Sequence, residues 1–148
     1  MLSYDVYTIG YSGRSLNDFI NLLKAKGVKI VVDVRLNPIS RKPDFSKSKL
    51  KRALESSAIG YIHYPELGVP SGIRQRLKKT GDYYWFFKWY DENVIAKQTA
   101  KLNELLSLDR PFAVMCVESD QSKCHRSRIA KWLEKRGFRV YEVAQDGD

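Results

Sequence analysis

The chain has 148 residues, 43% of them hydrophobic and 29% charged, which suffices for one packed core and excludes wholesale disorder. Its formal net charge of +9 favours anionic partners and says nothing about fold. The longest apolar run, Phe112–Val117, is six residues, far short of the ~20 that a membrane span needs, Asp5 and Arg14 interrupt any apolar leader, and two cysteines are too few for a disulfide framework, so a cytoplasmic setting off the membrane is expected.

Residues 5–9 are β-branched and aromatic and are stopped by Gly10, which predicts a first strand. Ser15 with Asp18 forms a capping signature; Leu16, Phe19, Ile20 and Leu23 then recur at helical spacing until Gly27. A buried strand is predicted over Val28–Val34, a basic helix over Ser46–Ser57, and a third strand over Ile59–His63. Residues 65–82 read as loop with a short basic helix at Ile73–Lys79, and Tyr83–Leu108 as one long helix. Phe112–Val117 is the fourth strand, Cys124–Arg136 a helix, and Phe138–Val143 the fifth strand.

Strands alternating with helices predict one α/β domain over residues 1–148, with a mostly parallel five-stranded sheet covered on both faces. The simplest doubly wound order is 3-2-1-4-5, with ligands at the carboxyl ends of strands 1, 2 and 4. The unusual residues fall at those ends. Gly10 to Arg14 is a G-x-x-G turn leading into a helix N-terminus, where Gly10 and Ser12 suit an anion or form a plain turn with a cap. Strand 2 ends in Asp33-Val34-Arg35, followed by Arg41. Either Asp33 and Arg35 pair with each other, or Arg35 and Arg41 fork onto a phosphate or carboxylate.

Strand 4 ends in Cys116-Val117-Glu118, and the next helix opens at Cys124-His125-Arg126. A cysteine at a helix N-terminus beside cations gains thiolate character, making Cys124 a candidate nucleophile with His125 as proton partner; the alternative is a small buried cysteine. The sixth residue after Cys116 is Ser122 and after Cys124 is Ala130, so the phosphatase-type loop with its arginine is disfavoured. No C-x2-C or H-x3-H spacing is present, and neither a metal nor a cofactor is expected. A Cys116–Cys124 disulfide is conceivable across the loop. His63 ends strand 3, either as a structural residue or as a catalyst.

Tyr83–Tyr90 holds seven aromatics in eight positions. On a helix these surround the axis, so some pack in the core and others cover a lid, a stacking surface or a homodimer interface. Basic residues cluster in Arg41–Arg52, Ile73–Lys79 and Lys123–Arg139, which would make the mouth of a switch-point cleft electropositive.

Together, Thr8-Ile9-Gly10-Tyr11-Ser12, Asp33-Val34-Arg35 with Pro38, Ser40 and Arg41, Tyr61-x-His63-x-Pro65-x-Leu67-Gly68, and Cys116-x-Glu118 before Cys124-His125-Arg126 resemble the domain of unknown function 488 family. The resemblance runs from about Tyr7 to Val143 and implies a small α/β domain. It brings no activity, so no catalytic residue is inherited from it.

Two functions fit these residues. One is an enzyme acting on a phosphate-bearing, nucleotide-like small molecule. Gly10, Ser12, Arg35, Arg41, His125 and Arg126 would hold the anion, Cys124 would attack, and Glu118, Asp33 and His63 would serve acid–base work. The other is a nucleic-acid-binding module without chemistry, whose basic clusters track a phosphate backbone.

Overall fold

The computed structural model describes residues 3–118, 120 and 123–143. In chain order the elements are β1 (Val6–Gly10), α1 (Leu16–Ala25), β2 (Ile30–Asp33), α2 (Lys47–Ser56), β3 (Gly60–His63), α3 (Ser71–Thr80), α4 (Tyr83–Tyr90), α5 (Thr99–Leu105), β4 (Phe112–Cys116), α6 (Arg126–Glu134) and β5 (Val140–Glu142). Ser15 caps α1 by accepting the Asp18 amide at 3.1 Å. Between α3 and α4 the chain turns at Gly81, whose φ of +65° suits a residue without a Cβ. Asp82 then caps α4 by accepting the Trp85 amide at 2.9 Å.

The five strands form one sheet in the order β3-β2-β4-β1-β5, with every pairing parallel. This corrects the expected 3-2-1-4-5: β4, not β1, is central. The reason lies in composition. All five residues of β4 are buried, whereas Tyr7 on β1 is only partly covered. A strand apolar on both faces belongs where helices cover both sides.

Alternate residues of the central strands feed two cores. Val32, Val114 and Cys116 face a layer containing Phe86, Tyr90, Leu102, Ile129 and Leu133 from α4, α5 and α6. Val31, Ala113 and Met115 face Phe19, Leu23, Leu50 and Leu54 from α1 and α2. The sheet is thus the middle of three layers.

The predicted long helix over 83–108 is divided. After α4 the chain makes a π-turn over Asp91–Ile95, with the Ala96 amide donating to Asp91 O at 2.9 Å, before α5 begins. Asp91 there receives a two-pronged hydrogen bond from Arg128 of α6, at 2.9 and 2.5 Å. Most of the aromatic run packs inward: Phe86 and Tyr90 are buried, and Tyr83, Trp85, Phe87 and Trp89 lie against the same core. Tyr84 is 82% exposed. Among the described residues, no helix is long and apolar enough to cross a membrane.

Candidate functional site

The residues singled out from the sequence gather at the carboxyl end of the sheet in two groups, one on each side of β2. The first group is closed on itself. Asp33 is fully buried and accepts hydrogen bonds from Arg35 Nε at 2.8 Å, Arg35 Nη2 at 2.7 Å, the Arg35 amide at 3.1 Å and Tyr61 Oη at 2.5 Å. The remaining Arg35 nitrogen, Nη1, donates to Phe45 O at 2.8 Å. Burial opposes the charge on Arg35, but the hydrogen bonds and charge of Asp33 outweigh it and raise the guanidinium above its ordinary value. Burial, then Asp33, likewise raises the Tyr61 phenol well above its usual range. His63 Nε2 donates to Arg35 O at 2.7 Å. Of the alternatives open from sequence, the structure therefore gives the paired Asp33–Arg35. Arg41 lies exposed beyond this group.

The turn after β1 is stitched to the end of β4. Tyr11 and Ser12 amides donate to Cys116 O at 3.1 Å and Val117 O at 2.9 Å, and the Arg14 amide to Tyr11 O at 3.0 Å. Arg14 Nε donates to Gly10 O at 3.1 Å. Backbone donors that would cradle an anion at Gly10 and Ser12 are thus largely taken up by the fold.

The second group centres on sulfur. Cys116 at the end of β4 and Cys124 just before α6 are joined by a disulfide, with Cα atoms 7.4 Å apart. His125 Nε2 donates to Val34 O at 2.9 Å, which leaves Nδ1 as the acceptor nitrogen, 3.8 Å from Cys124 Sγ. Burial drives the His125 pKa down to about 4 against the pull of the Val34 carbonyl, and the charges of Arg126 and Arg74 add to it. Arg126 is fully buried; its Nη1 donates to Cys116 Sγ at 3.1 Å and also to Glu118 O. Burial lowers its pKa to about 10, opposed by Glu142, Asp120 and Glu118, so it stays charged at neutral pH.

The three donor atoms of Cys116, Cys124 and His125 lie within 4.8 Å of one another. With both thiols open they would make a donor set for a thiophilic cation. Joined, neither sulfur offers a thiolate.

Cys116, Cys124 and His125, together with Arg35 from the first group, line a cleft of about 500 Å³, whereas Arg126, expected to hold an anion, lies buried behind it. Val69, Leu77, Tyr83 and Phe86 supply an apolar wall, Arg74, Lys78 and Lys123 a basic one, and Glu118 reaches its edge. Arg74 and Lys78 belong to α3, which rests Ile73 and Leu77 against the core without fully burying any residue and lends Arg74, Leu77 and Lys78 to the cleft lining. Neither cation is singled out for a site by sequence reasoning. The signal that points to them is the run Ile73–Lys79, with four basic residues and no acid.

The family model described as Domain of unknown function DUF488 matches residues 15–133. The chain belongs to this family. No curated protein and no solved structure matches the chain. The DUF488 span takes in both groups, from Asp33 and Arg35 to Cys124, His125 and Arg126, while Gly10 and Ser12 precede it and β5 follows it.

Proposed function

We propose that this DUF488 protein is an enzyme that binds a phosphate-bearing, nucleotide-like ligand in the cleft and presents Cys124, in its reduced form, as the nucleophile. The carrying observation is the meeting of Cys124 and His125 with Arg74, Lys78 and Lys123 around one cleft. The three cations suit the phosphates, and Tyr83 and Phe86 suit a flat, apolar moiety. This moves the anion-holding role away from Arg35, whose donors are spent on Asp33 and Phe45. In the reduced protein the Cys124 thiol faces His125 Nδ1, a neutral nitrogen that accepts its hydrogen bond and orients it. With a pKa near 4 the imidazole is too weak a base to keep the proton, which passes to solvent when the thiolate forms. Glu118, exposed at the cleft, serves acid–base work, while Asp33 and His63, bonded to Arg35 and outside the cleft lining, take no part in the chemistry.

Calorimetric titration with inorganic pyrophosphate and a nucleoside diphosphate tests this. Binding to the wild type, lost in an Arg74→Ala, Lys78→Ala double variant that keeps its melting temperature, is the expected result. Equal binding by both proteins sinks the reading. Salt dependence separates the nucleic-acid alternative. A small ligand neutralised by these cations gives a log–log slope of about −3 or shallower, whereas an oligonucleotide crossing all the basic clusters gives one several units steeper.

A further inference from the structure

We infer that Cys116 is a second working sulfur: the site is a two-cysteine thiol–disulfide exchange centre for anionic organic disulfides, with Cys124 attacking and Cys116 resolving. The inference rests on the proposed cleft for the place of the substrate, and adds the reaction class and a further catalytic residue.

Three observations carry it. The two sulfurs are already within bonding reach of each other, across the gap between β4 and α6. Each has a different partner: Cys124 Sγ lies 3.8 Å from the acceptor nitrogen of His125, and Cys116 Sγ receives a hydrogen bond at 3.1 Å from the buried Arg126 guanidinium. A guanidinium in a dry site stabilises the anionic form of the sulfur it touches. Cys116 is therefore the better leaving thiolate when an outside thiol opens the pair, and that thiol must attack Cys124. Finally, Arg74, Lys78 and Lys123 stand around the entrance, so the disulfide admitted carries carboxylates or phosphates.

The steps balance. Cys124 thiolate attacks one sulfur of R–S–S–R′; the Cys124–S–R bond forms and R′–S⁻ leaves. Cys116 thiolate then attacks Cys124 Sγ; the Cys116–Cys124 bond forms and R–S⁻ leaves. One substrate disulfide gains two electrons, two protein thiols lose them, and the two thiol protons pass to the released thiolates. A soluble dithiol returns the protein to its reduced form by the reverse exchange.

The test uses the full chain, reduced with dithiothreitol and desalted without oxygen, and the anionic probe dithiobis(nitrobenzoate). Wild type is expected to release two equivalents of chromophore per chain and to retain none by mass. Cys116→Ser should release one equivalent and retain one on Cys124. Cys124→Ser should react at least about tenfold more slowly. Arg74→Ala with Lys78→Ala should slow this probe and leave the uncharged dipyridyl disulfide unaffected. Retention of two labels by wild type, or equal rates for the two serine variants, overturns the inference. So does one zinc ion per chain that keeps both thiols unreactive. Circular dichroism confirms that each variant is folded. Pyrophosphate titration of the same variants separates the two readings. Binding kept with exchange absent overturns only the sulfur chemistry, and exchange kept with binding absent overturns only the phosphate-bearing ligand.

Discussion

His125 Nε2 donates to Val34 O at 2.9 Å, and that one bond decides which ring nitrogen faces the sulfurs. Val34 is the first residue past β2, and His125 directly precedes α6. The end of one strand thus sets the tautomer at the start of a helix 91 residues away in sequence.

The environment of His125 should be visible in the pH dependence of stability. Its folded pKa is about 4, lowered from 6.5, chiefly by burial. The unfolded chain takes up a proton below about pH 6.5, and the folded chain does so only near pH 4. The contribution is therefore complete above pH 6.5, falls as the pH drops towards 4, and is absent below it. Its size is up to about 3 kcal/mol. His125→Gln retains an amide donor for Val34 and does not titrate. Urea unfolding between pH 4 and 7 should show a shallower slope for the variant, and identical slopes would place the titration elsewhere.

Arg35 is the buried partner of Asp33, so Arg35→Met should strand a carboxylate that is fully buried. The expected loss is about 3–5 kcal/mol, against 1 kcal/mol or less for an exposed arginine. Adding Asp33→Asn removes the stranded charge and should recover part of the loss. Denaturant midpoints of the two variants read this directly. A small loss for Arg35→Met, or no recovery in the double variant, contradicts the pairing.

Tyr61 donates to the same carboxylate at 2.5 Å. Tyr61→Phe leaves Asp33 with its Arg35 bonds and should cost about 1.5–3 kcal/mol, as for a hydrogen bond to a charged group. The phenol should also stay protonated well beyond the pH at which exposed tyrosines ionise, because burial and Asp33 both oppose its anion. Spectrophotometric titration of Tyr61→Phe against wild type checks this, and loss of an early-ionising tyrosine in the variant would be the contrary result.

The strands were legible because a glycine or proline marks an end of each apolar run, and their parallel pairing because helical segments alternate with them. Their order was not, because the exchange of β1 and β4 depends on which strand is covered on both faces. Only the uninterrupted run Phe112–Cys116 hinted at the centre. The Asp33–Arg35 pair was visible as two charges ending a buried strand. Whether they met each other or a ligand turned on Phe45 O and Tyr61, donated by distant segments. Cys124, His125 and Arg126 stood out by position, but the hydrogen bond from Arg126 to Cys116 joins residues ten apart, across a helix start. Arg74 and Lys78 were hidden for a different reason. The helix offers only Ile73 and Leu77 to the core and buries neither fully, so its short apolar stripe does not say from sequence what the flanking Arg74 and Lys78 cover.

Gly68 offers a test of how closely the cleft wall is fitted. Its φ of −81° and ψ of 178° are extended backbone open to any residue, so no conformational penalty attaches to a side chain there. The obstacle is space. A Cβ at Gly68 would lie 2.3 Å from Leu36 N, 2.5 Å from Leu36 Cα and 2.6 Å from Leu36 Cβ. Those are main-chain atoms and a Cβ, which cannot swing aside as a long side chain can, so two backbone segments must part. Leu36 and Val69 both line the cleft, and their separation would widen it beside Cys124. Gly68→Ala should therefore cost about 1–3 kcal/mol by overpacking and weaken pyrophosphate binding as well. Gly72→Ala is the control: Gly72 lies in α3 with nothing within 4 Å of an added Cβ. That change should leave stability unchanged or raise it by up to about 1 kcal/mol, since alanine favours the helix. Thermal melts that rank the two variants in the opposite order would mean that the contact between Gly68 and Leu36 does not set the cleft wall.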